Sequence, residues 1–445
     1  MNRTLREGLF QTLRRVADIR REEVPAVGWC WLFIFAVFLS YAIMRPIRDT
    51  AGIEGGVNNL QWLFTATLLG MLVVNIPFSY LVKTLPRGRF IPITLRFCAG
   101  NIVLFAVLLH WADAQQTIWI WRIFFVWVSV YNVFVVSLAW QMNVDLFSPE
   151  QGKRLFGLIA AGASLGSIVG AGTTAGLARH VSPMLLLLGA AFLLEIPAFS
   201  VGRLSRLSPA LHHDPAAAAA EAAPIGGSVF AGFTRAFRSR YLVNVSLFML
   251  LFTVTSTFLY LQQAGIVDRS ISGRAARTAF FATIDLCVNI LTLPIQLFLT
   301  GRVLALLGMA LTLGLLPALT IIGFGALALM PTITAVAVFQ VLRRAGDFAI
   351  TRPTREGLFT VMRREDRFKA KSFIDTFVYR IGDQFGVWSV ALLRGLGLGG
   401  AQIALFAVPL AALWLADALW LGRRQERLVA AQRESAALAP EPAGG

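Results

Sequence analysis

The chain has 445 residues, 57% of them apolar and only 14% charged, with a mean hydropathy of +0.68. Soluble chains carry about a quarter charged residues and interrupt their apolar runs with polar faces, so a water-soluble enzyme is excluded. The formal charge of +16 comes from 36 Arg and 4 Lys against 24 acidic residues, and its placement decides between a nucleic-acid surface and a membrane topology signal.

Residues 1–24 mix acidic with basic side chains and have no apolar core ahead of a small-residue cleavage site, unlike a secretory signal. Leu5, Leu9, Leu13 and Val16 recur at helical spacing, which predicts a short amphipathic helix on the membrane surface. Apolar runs then predict spans at 25–44, 57–82, 91–111, 119–142, 155–178 and 184–202. A second set follows at 241–265, 277–300, 303–329, 331–350, 372–393 and 401–422. One crossing takes about 20 apolar residues, and only helices or closed barrels satisfy their backbone in lipid. No alternating pattern favours a barrel. The expected fold is therefore all-α: twelve transmembrane helices in two six-helix halves, resembling the major facilitator architecture. The expected boundaries are a cytoplasmic N-terminus at 1–24, a first half at 25–202, a linker at 203–240, a second half at 241–422 and a tail at 423–445.

Sorting the 40 cations by connection places 28 on the side of both termini, 7 on the opposite side and 5 within spans. By the positive-inside rule the termini are cytoplasmic, in a cell (inner) membrane protein, and no nucleic-acid partner is called for. The partners expected are the lipid bilayer and a small-molecule solute; the oligomeric state stays open and is compatible with a monomer.

The linker centres on Asp214-Pro215, an alanine run and Gly226-Gly227. The halves it joins keep a trace of repetition: Lys153, Gly166 and Gly170 correspond to Lys369, Gly382 and Gly386 at one shared offset of 216. Span five carries Gly162, Gly166 and Gly170 at four-residue spacing, which suits either fixed helix packing or a sliding seam.

Ionisable groups inside spans are costly and are functional candidates by default. Arg45, Arg48 and Asp49 close span one, Gln61 opens span two, and Glu195 precedes Pro197 in span six. Asp285 and Asn289 share a face of span eight. Arg343, Arg344 and Asp347 lie in span ten, Glu356 in the cluster that follows, and Asp375, Arg380 and Asp383 in span eleven. Asp417, near the inner end of span twelve, reads as structural. The substrate-binding candidates are Arg45, Arg48, Gln61, Asn289, Arg343, Arg344 and Arg380, because guanidinium forks suit phosphate or carboxylate. The coupling or gating candidates are Asp49, Glu195, Asp285, Asp347, Glu356, Asp375 and Asp383. Internal salt bridges are the competing use of these groups. Glu195 suits either a proton site or a partner for a loop arginine. Cys30, Cys98 and Cys287 read as small buried hydrophobes, and neither cysteine nor histidine spacing fits a metal. No cofactor is expected. No Walker loop occurs, so ATP hydrolysis by this chain does not drive it, and no nucleophile–base spacing suggests an enzyme.

Three motifs carry a family resemblance. Tyr41-Ala-Ile-Met-Arg45-Pro-Ile-Arg48-Asp49-Thr50 resembles the span-one signature of the ATP/ADP antiporters of plastids and intracellular bacteria. Lys153-Arg154 followed by Gly162-Ala163-Ser164 is similar to that family's Lys-Lys and Gly-Ala-Asn. Pro353-Thr354-Arg355-Glu356, running on to Lys369-Ala370-Lys371-Ser372-Phe373-Ile374-Asp375, is the most specific match. The resemblance spans roughly residues 27–420 and implies a twelve-span fold related to the major facilitators. It also implies two lysines and two glutamates in the spans of an exchanger. Here Gln61 and Asp383 stand at the lysine positions, and Val128 and Thr257 near the glutamate positions. A carboxylate in place of a lysine repels phosphate, so the comparison implies a relative with another substrate. The expected function is secondary transport of a small anionic solute, nucleotide-like or another organic anion, by alternating access at a site between the halves. Two other readings stay open: an uncharged or cationic solute on the same scaffold, and a non-transporting membrane scaffold or sensor.

Overall fold

A computed structural model describes residues 19–211, 239–362, 370–371 and 373–437. The stretch of the expected amphipathic helix, most of the linker, and Lys369 lie outside the described residues. Every regular element among the described residues is helical. In chain order these are α1 (Val24–Glu54), α2 (Leu60–Thr84), α3 (Arg87–Trp111), α4 (Ala114–Leu146), α5 (Pro149–Leu177), α6 (Pro183–Leu193) and α7 (Glu195–Leu211). There follow α8 (Arg240–Ser270), α9 (Arg274–Pro294), α10 (Thr300–Leu329), α11 (Ile333–Gly346), α12 (Arg352–Leu358), α13 (Tyr379–Gly395) and α14 (Gly400–Ala437).

Nine helical stretches among the described residues are long and apolar enough to cross a membrane, and the chain is a multi-pass membrane protein. Exposed Leu72, Ile76, Phe97, Leu306 and Leu329 form the kind of outer surface that lipid solvates and water does not. The segments expected as spans ten and eleven are not among the nine. The 14-residue α11 carries Arg343 and Arg344, and the 17-residue α13 carries Arg380 and Asp383.

Local chemistry sets the helix ends. Asp113 and Gln116 form a capping box at the start of α4, and Ser148 and Gln151 form another at the start of α5. Leu194 interrupts the expected sixth span, and α7 begins at Glu195. The connection expected near Arg302 is instead helical, because a π-helical turn at Ile295–Leu299 carries α9 directly into α10. The break comes at Gly308, whose φ of +71° favours glycine. The amides of Met309 and Ala310 just beyond it donate to Glu426 Oε1 at 2.8 and 3.3 Å, so a side chain of α14 caps the restarted helix. Two further π-helical turns, Asp347–Thr351 and Ile374–Val378, join α11 to α12 and lead into α13. Helix thus runs on from span ten to Leu358, where a loop from Arg352 is expected. At the C-terminal end α14 extends into the expected tail as far as Ala437.

Contacts sort the chain into two compact units, 1–225 with 271–289, and 226–270 with 290–445. In the first unit α1 is the core helix, burying Cys30, Phe33, Ile34, Val37, Met44 and Ile47. The glycine stripe of α5 lies against it. A methyl group at Gly170 would stand 2.6 Å from the Leu39 carbonyl oxygen, and one at Gly166 would strike the Phe35 carbonyl. In the second unit Gly382 and Gly386 of α13 face Thr253 and Thr257 of α8, where an added Cβ would sit 2.8 Å from each Thr Cβ. Glycines related by the offset of 216 therefore perform the same task in both units: each seats a helix on its unit's opening helix. Around α8, Phe248, Phe252, Leu313, Leu316, Phe359 and Trp414 form the second core.

Candidate functional site

The two units hold their membrane-embedded charges differently. In the first, α1 delivers Arg45, Arg48 and Asp49 within about one turn. The Arg48 guanidinium is well occupied: Nη1 donates to Asp49 Oδ1 at 2.8 Å and Nε to Ser129 Oγ at 3.0 Å, with the Phe125 ring 4.3 Å away. Arg45 Nε stands 3.6 Å from Asp285 Oδ2, beyond hydrogen-bond reach but close enough for charge attraction. The Arg45 side chain stays 29% accessible, whereas Asp285 is buried. Asn289 Nδ2 donates to the Asp285 carbonyl, so its amide is turned back on its own helix. Gln61 is half-buried near the start of α2.

Three further contacts hold the end of α1 to α9. Arg274 and Arg277 both donate to Glu54 at 2.9 Å, and the hydroxyls of Thr50 and Thr278 meet at 2.9 Å. At the other end of the unit, buried Glu23 accepts from Gln151 Nε2 at 3.1 Å and Arg154 Nη2 at 2.9 Å. Burial alone would raise the Glu23 carboxyl. The hydrogen bonds from the Arg20 amide, Arg154 and Gln151, with the Arg154 charge, outweigh it and hold the group below the usual carboxylate range. Glu195 pairs with Arg96 of α3 at 3.1 Å, both well exposed, rather than with a loop arginine.

In the second unit Arg343 is buried and nearly saturated. Nη1 donates to Ser256 Oγ at 2.8 Å, Nη2 to the Phe252 carbonyl at 3.1 Å and Thr255 Oγ1 at 3.0 Å, and Nε to Thr320 Oγ1 at 3.3 Å. A guanidinium has five N–H donors, and four are engaged here. Phe252 and Trp414 flank the plane at 5.3 and 5.9 Å. Arg344, the next residue, points elsewhere and stays half-buried beside Phe348. Asp347 pairs with Arg352 at 2.9 Å, Arg355 with Asp375 at 3.4 Å, and Lys371 with Glu356 at 2.6 Å.

Asp383 accepts from Thr257 Oγ1 at 3.3 Å and pairs with Arg380 at 3.2 Å. Thr257 and Asp383 are the two positions where the resemblance implies a glutamate and a lysine, and the fold makes them neighbours. Asp383 brings a negative charge to this contact from α13, and Arg380 one turn earlier balances it. Sequence reasoning missed the buried amide pair in which Gln340 Nε2 donates to Gln263 Oε1 at 2.6 Å. It also missed Gln262, whose Nε2 donates to the Gly400 carbonyl. All three glutamines lie inside expected spans, where the amides Gln61 and Asn289 are the ones singled out.

Asp417 is buried, not snorkelling at an interface, and neither carboxylate oxygen has a hydrogen-bond partner among the described residues. Cys287 is exposed, while Cys30 and Cys98 are buried as expected. Among the described residues no group of three His, Cys, Asp or Glu side chains is placed to hold a metal.

No protein-family model matches the chain. It is 20% identical to ADP,ATP carrier protein 1 of Chlamydia trachomatis, over 91% of this chain and 89% of the carrier. It is 21% identical to the carrier of the same name from Chlamydia muridarum, with the same coverage. The likeness read from the motifs therefore extends along nearly the whole chain. Among solved structures, a bacterial homologue of the human lysosomal transporter Spinster aligns with a TM-score of 0.59 at 14% identity. That alignment covers 92% of this chain and 99% of that one. The nucleoside transporter NupG aligns with a TM-score of 0.58 at 11% identity, covering 89% of this chain and 99% of that one. Both neighbours are transporters, and their fold is the fold of this chain.

Proposed function

We propose that the chain is a secondary transporter of a small organic anion, working by alternating access in the inner membrane. In this reading it has twelve spans, with both termini cytoplasmic. The observation that carries it is the pair formed by Arg45 and Asp285. It sets a partly accessible guanidinium 3.6 Å from a buried carboxylate inside apolar helices, where an anion from solution can reach it. An incoming phosphate or carboxylate offers the accessible side of Arg45 a bidentate partner.

Among the other sequence candidates, Arg343 and Arg48 act here as structural anchors, and Arg380 with Asp383 forms a balanced pair. Arg344 stays with Arg45 as a contact for the anion. The fold and the similarity to ADP,ATP carriers support transport as the class of function. The exchanged charges at Gln61, Asp383, Val128 and Thr257 argue for an anion other than ATP.

The test is uptake into proteoliposomes, with panels of nucleotides, sugar phosphates, dicarboxylates, nucleosides and organic cations as competitors. Competition confined to anions, together with loss of uptake in Arg45→Ala, supports the reading. Competition by nucleosides or cations alone would transfer the function to an uncharged or cationic solute, and absence of any flux would leave a membrane scaffold.

A further inference from the structure

Away from these charges, the first unit has a groove between α3 and α7 that transport does not explain. Its cavity is about 510 Å³, and its walls carry four arginines: Arg89 and Arg96 on α3, Arg203 and Arg206 on α7. On α3 the sequence Arg89, Ile93, Arg96 recurs at helical spacing, and on α7 so does Phe199, Arg203, Arg206. The lining includes no acidic side chain; Glu195, one turn before Phe199, meets Arg96 at 3.1 Å. Among the described residues, Arg89, Arg203 and Arg206 make no ion pair, and Arg203 rests 5.2 Å from the Phe199 ring. Gly88 holds this end of α3 close to α7, since a Cβ there would sit 2.9 Å from Ser205 Oγ. Gly202 has nothing within 4 Å of its Cβ position, which leaves the groove open.

The cations lie at the helix ends that the charge asymmetry assigns to the cytoplasm, and the groove's other flank is apolar. Ile93 and Phe199 in the lining are each 54% exposed, and Phe97, four residues beyond Ile93 on α3, is 68% exposed. Arg96 lies seven residues along α3 from Arg89, about 10 Å deeper along the axis, yet its side chain is 61% accessible. Glu195 meets one of its donors, and the accessible remainder, with Arg89, Arg203 and Arg206, leaves the groove net cationic. A soluble phosphate ester satisfies the arginines but leaves the neighbouring apolar side chains uncovered, whereas a lipid supplies both parts.

We propose that this groove binds the headgroup of an anionic phospholipid, its phosphate among Arg89, Arg96, Arg203 and Arg206 and an acyl chain along Ile93, Phe97 and Phe199. The site is separate from the Arg45–Asp285 pair and does not rest on the transport reading.

Native mass spectrometry on the purified full-length protein tests it, with dioleoyl phosphatidylglycerol, dioleoyl phosphatidylcholine and sn-glycerol 3-phosphate as probes. The wild type is expected to retain phosphatidylglycerol in preference to phosphatidylcholine. Arg203→Gln/Arg206→Gln lowers that affinity by about fivefold per arginine, the usual contribution of one cation near an anionic headgroup. Gly202→Trp keeps every cation and fills the groove, so it abolishes the preference without disturbing the charge pattern that sets topology. Where the double variant fails to insert, Gly202→Trp decides alone. Equal retention of the two lipids by the wild type, or an undiminished preference in Gly202→Trp, would overturn the proposal. Displacement of the lipid by glycerol 3-phosphate at comparable concentration would also overturn it, because the arginines would then serve a soluble anion.

Discussion

Arg45 in the first unit and Arg343 in the second are both arginines inside apolar helices, and they have opposite fates. Arg343 is buried, with four donors on Phe252, Thr255, Ser256 and Thr320 and two aromatic rings against its plane. Arg45 keeps 29% of its side chain accessible and stands off from Asp285 at 3.6 Å. The lesson is that an intramembrane cation is not a binding group by its charge alone. What matters is burial: a guanidinium enclosed by four protein acceptors ties helices together, and one left accessible can still meet a solute.

The sharpest way to break the comparison is Arg343→Leu. Removing the cation deletes four hydrogen bonds, although the hydroxyls of Thr255, Ser256 and Thr320 keep their bonds to carbonyls of their own helices. Arg343→Lys rescues little because an ammonium cannot reproduce the fork. Hydrogen bonds from a charged donor contribute about 1.5–3 kcal/mol, so the loss is read as a large fall in thermal midpoint or folded yield. A variant that folds and melts like the wild type would remove Arg343 from the structural class.

Next in size is the glycine seam. Gly166→Ile drives a side chain into the Phe35 carbonyl on α1, whereas Gly157 has nothing within 4 Å of its Cβ position. Overpacking of this kind costs about 1–3 kcal/mol, so thermal unfolding should separate Gly166→Ile clearly from Gly157→Ile. Equal midpoints would show that α5 does not depend on close approach.

Asp417 runs in the other direction. Its carboxylate is buried without a hydrogen-bond partner among the described residues, and an unsatisfied buried polar group costs about 1–3 kcal/mol. Asp417→Leu should therefore raise the thermal midpoint. A lowered midpoint would mean that the carboxylate is held by something the fold needs.

The smallest effect belongs to Glu23. Its folded carboxyl titrates below the usual range, so its contribution is complete above the unfolded value near pH 4.3 and fades as pH falls through the folded one. The wild type should exceed Glu23→Gln by about 1 kcal/mol at neutral pH, with the gap closing in acid. A gap that widens below pH 4 would reverse the assigned sign.

Much of this was legible beforehand, because lipid permits few alternatives. Apolar runs located the helices, and the short inventory of charged residues contained most of the groups that now pair. Three things were hidden. Adjacent Arg343 and Arg344 differ in direction by about 100°, and only packing decides which of them is engulfed. The pairs Arg96–Glu195 and Thr257–Asp383 join residues 99 and 126 positions apart, which no local spacing reveals. The connection near Arg302 looked like a loop because glycine and arginine interrupt the apolar run, yet the backbone breaks at Gly308, where Glu426 of a distant helix caps the amides. The repeat was visible as an offset of 216, but its meaning came only from seeing both pairs of glycines seat a helix on an opening helix.

The central claim is that Arg45 is the accessible cation that meets an anionic solute. Thermal-shift titration of the wild type and Arg45→Ala against nucleotides, sugar phosphates and dicarboxylates, with nucleosides and organic cations as controls, tests it most directly. A ligand at about 100 times its dissociation constant adds about 2.7 kcal/mol of stability. The account predicts that at least one soluble anion raises the wild-type midpoint by several degrees, and that this shift is lost in Arg45→Ala while the ligand-free midpoint barely moves. A shift that survives Arg45→Ala, or one produced only by uncharged or cationic ligands, would contradict it.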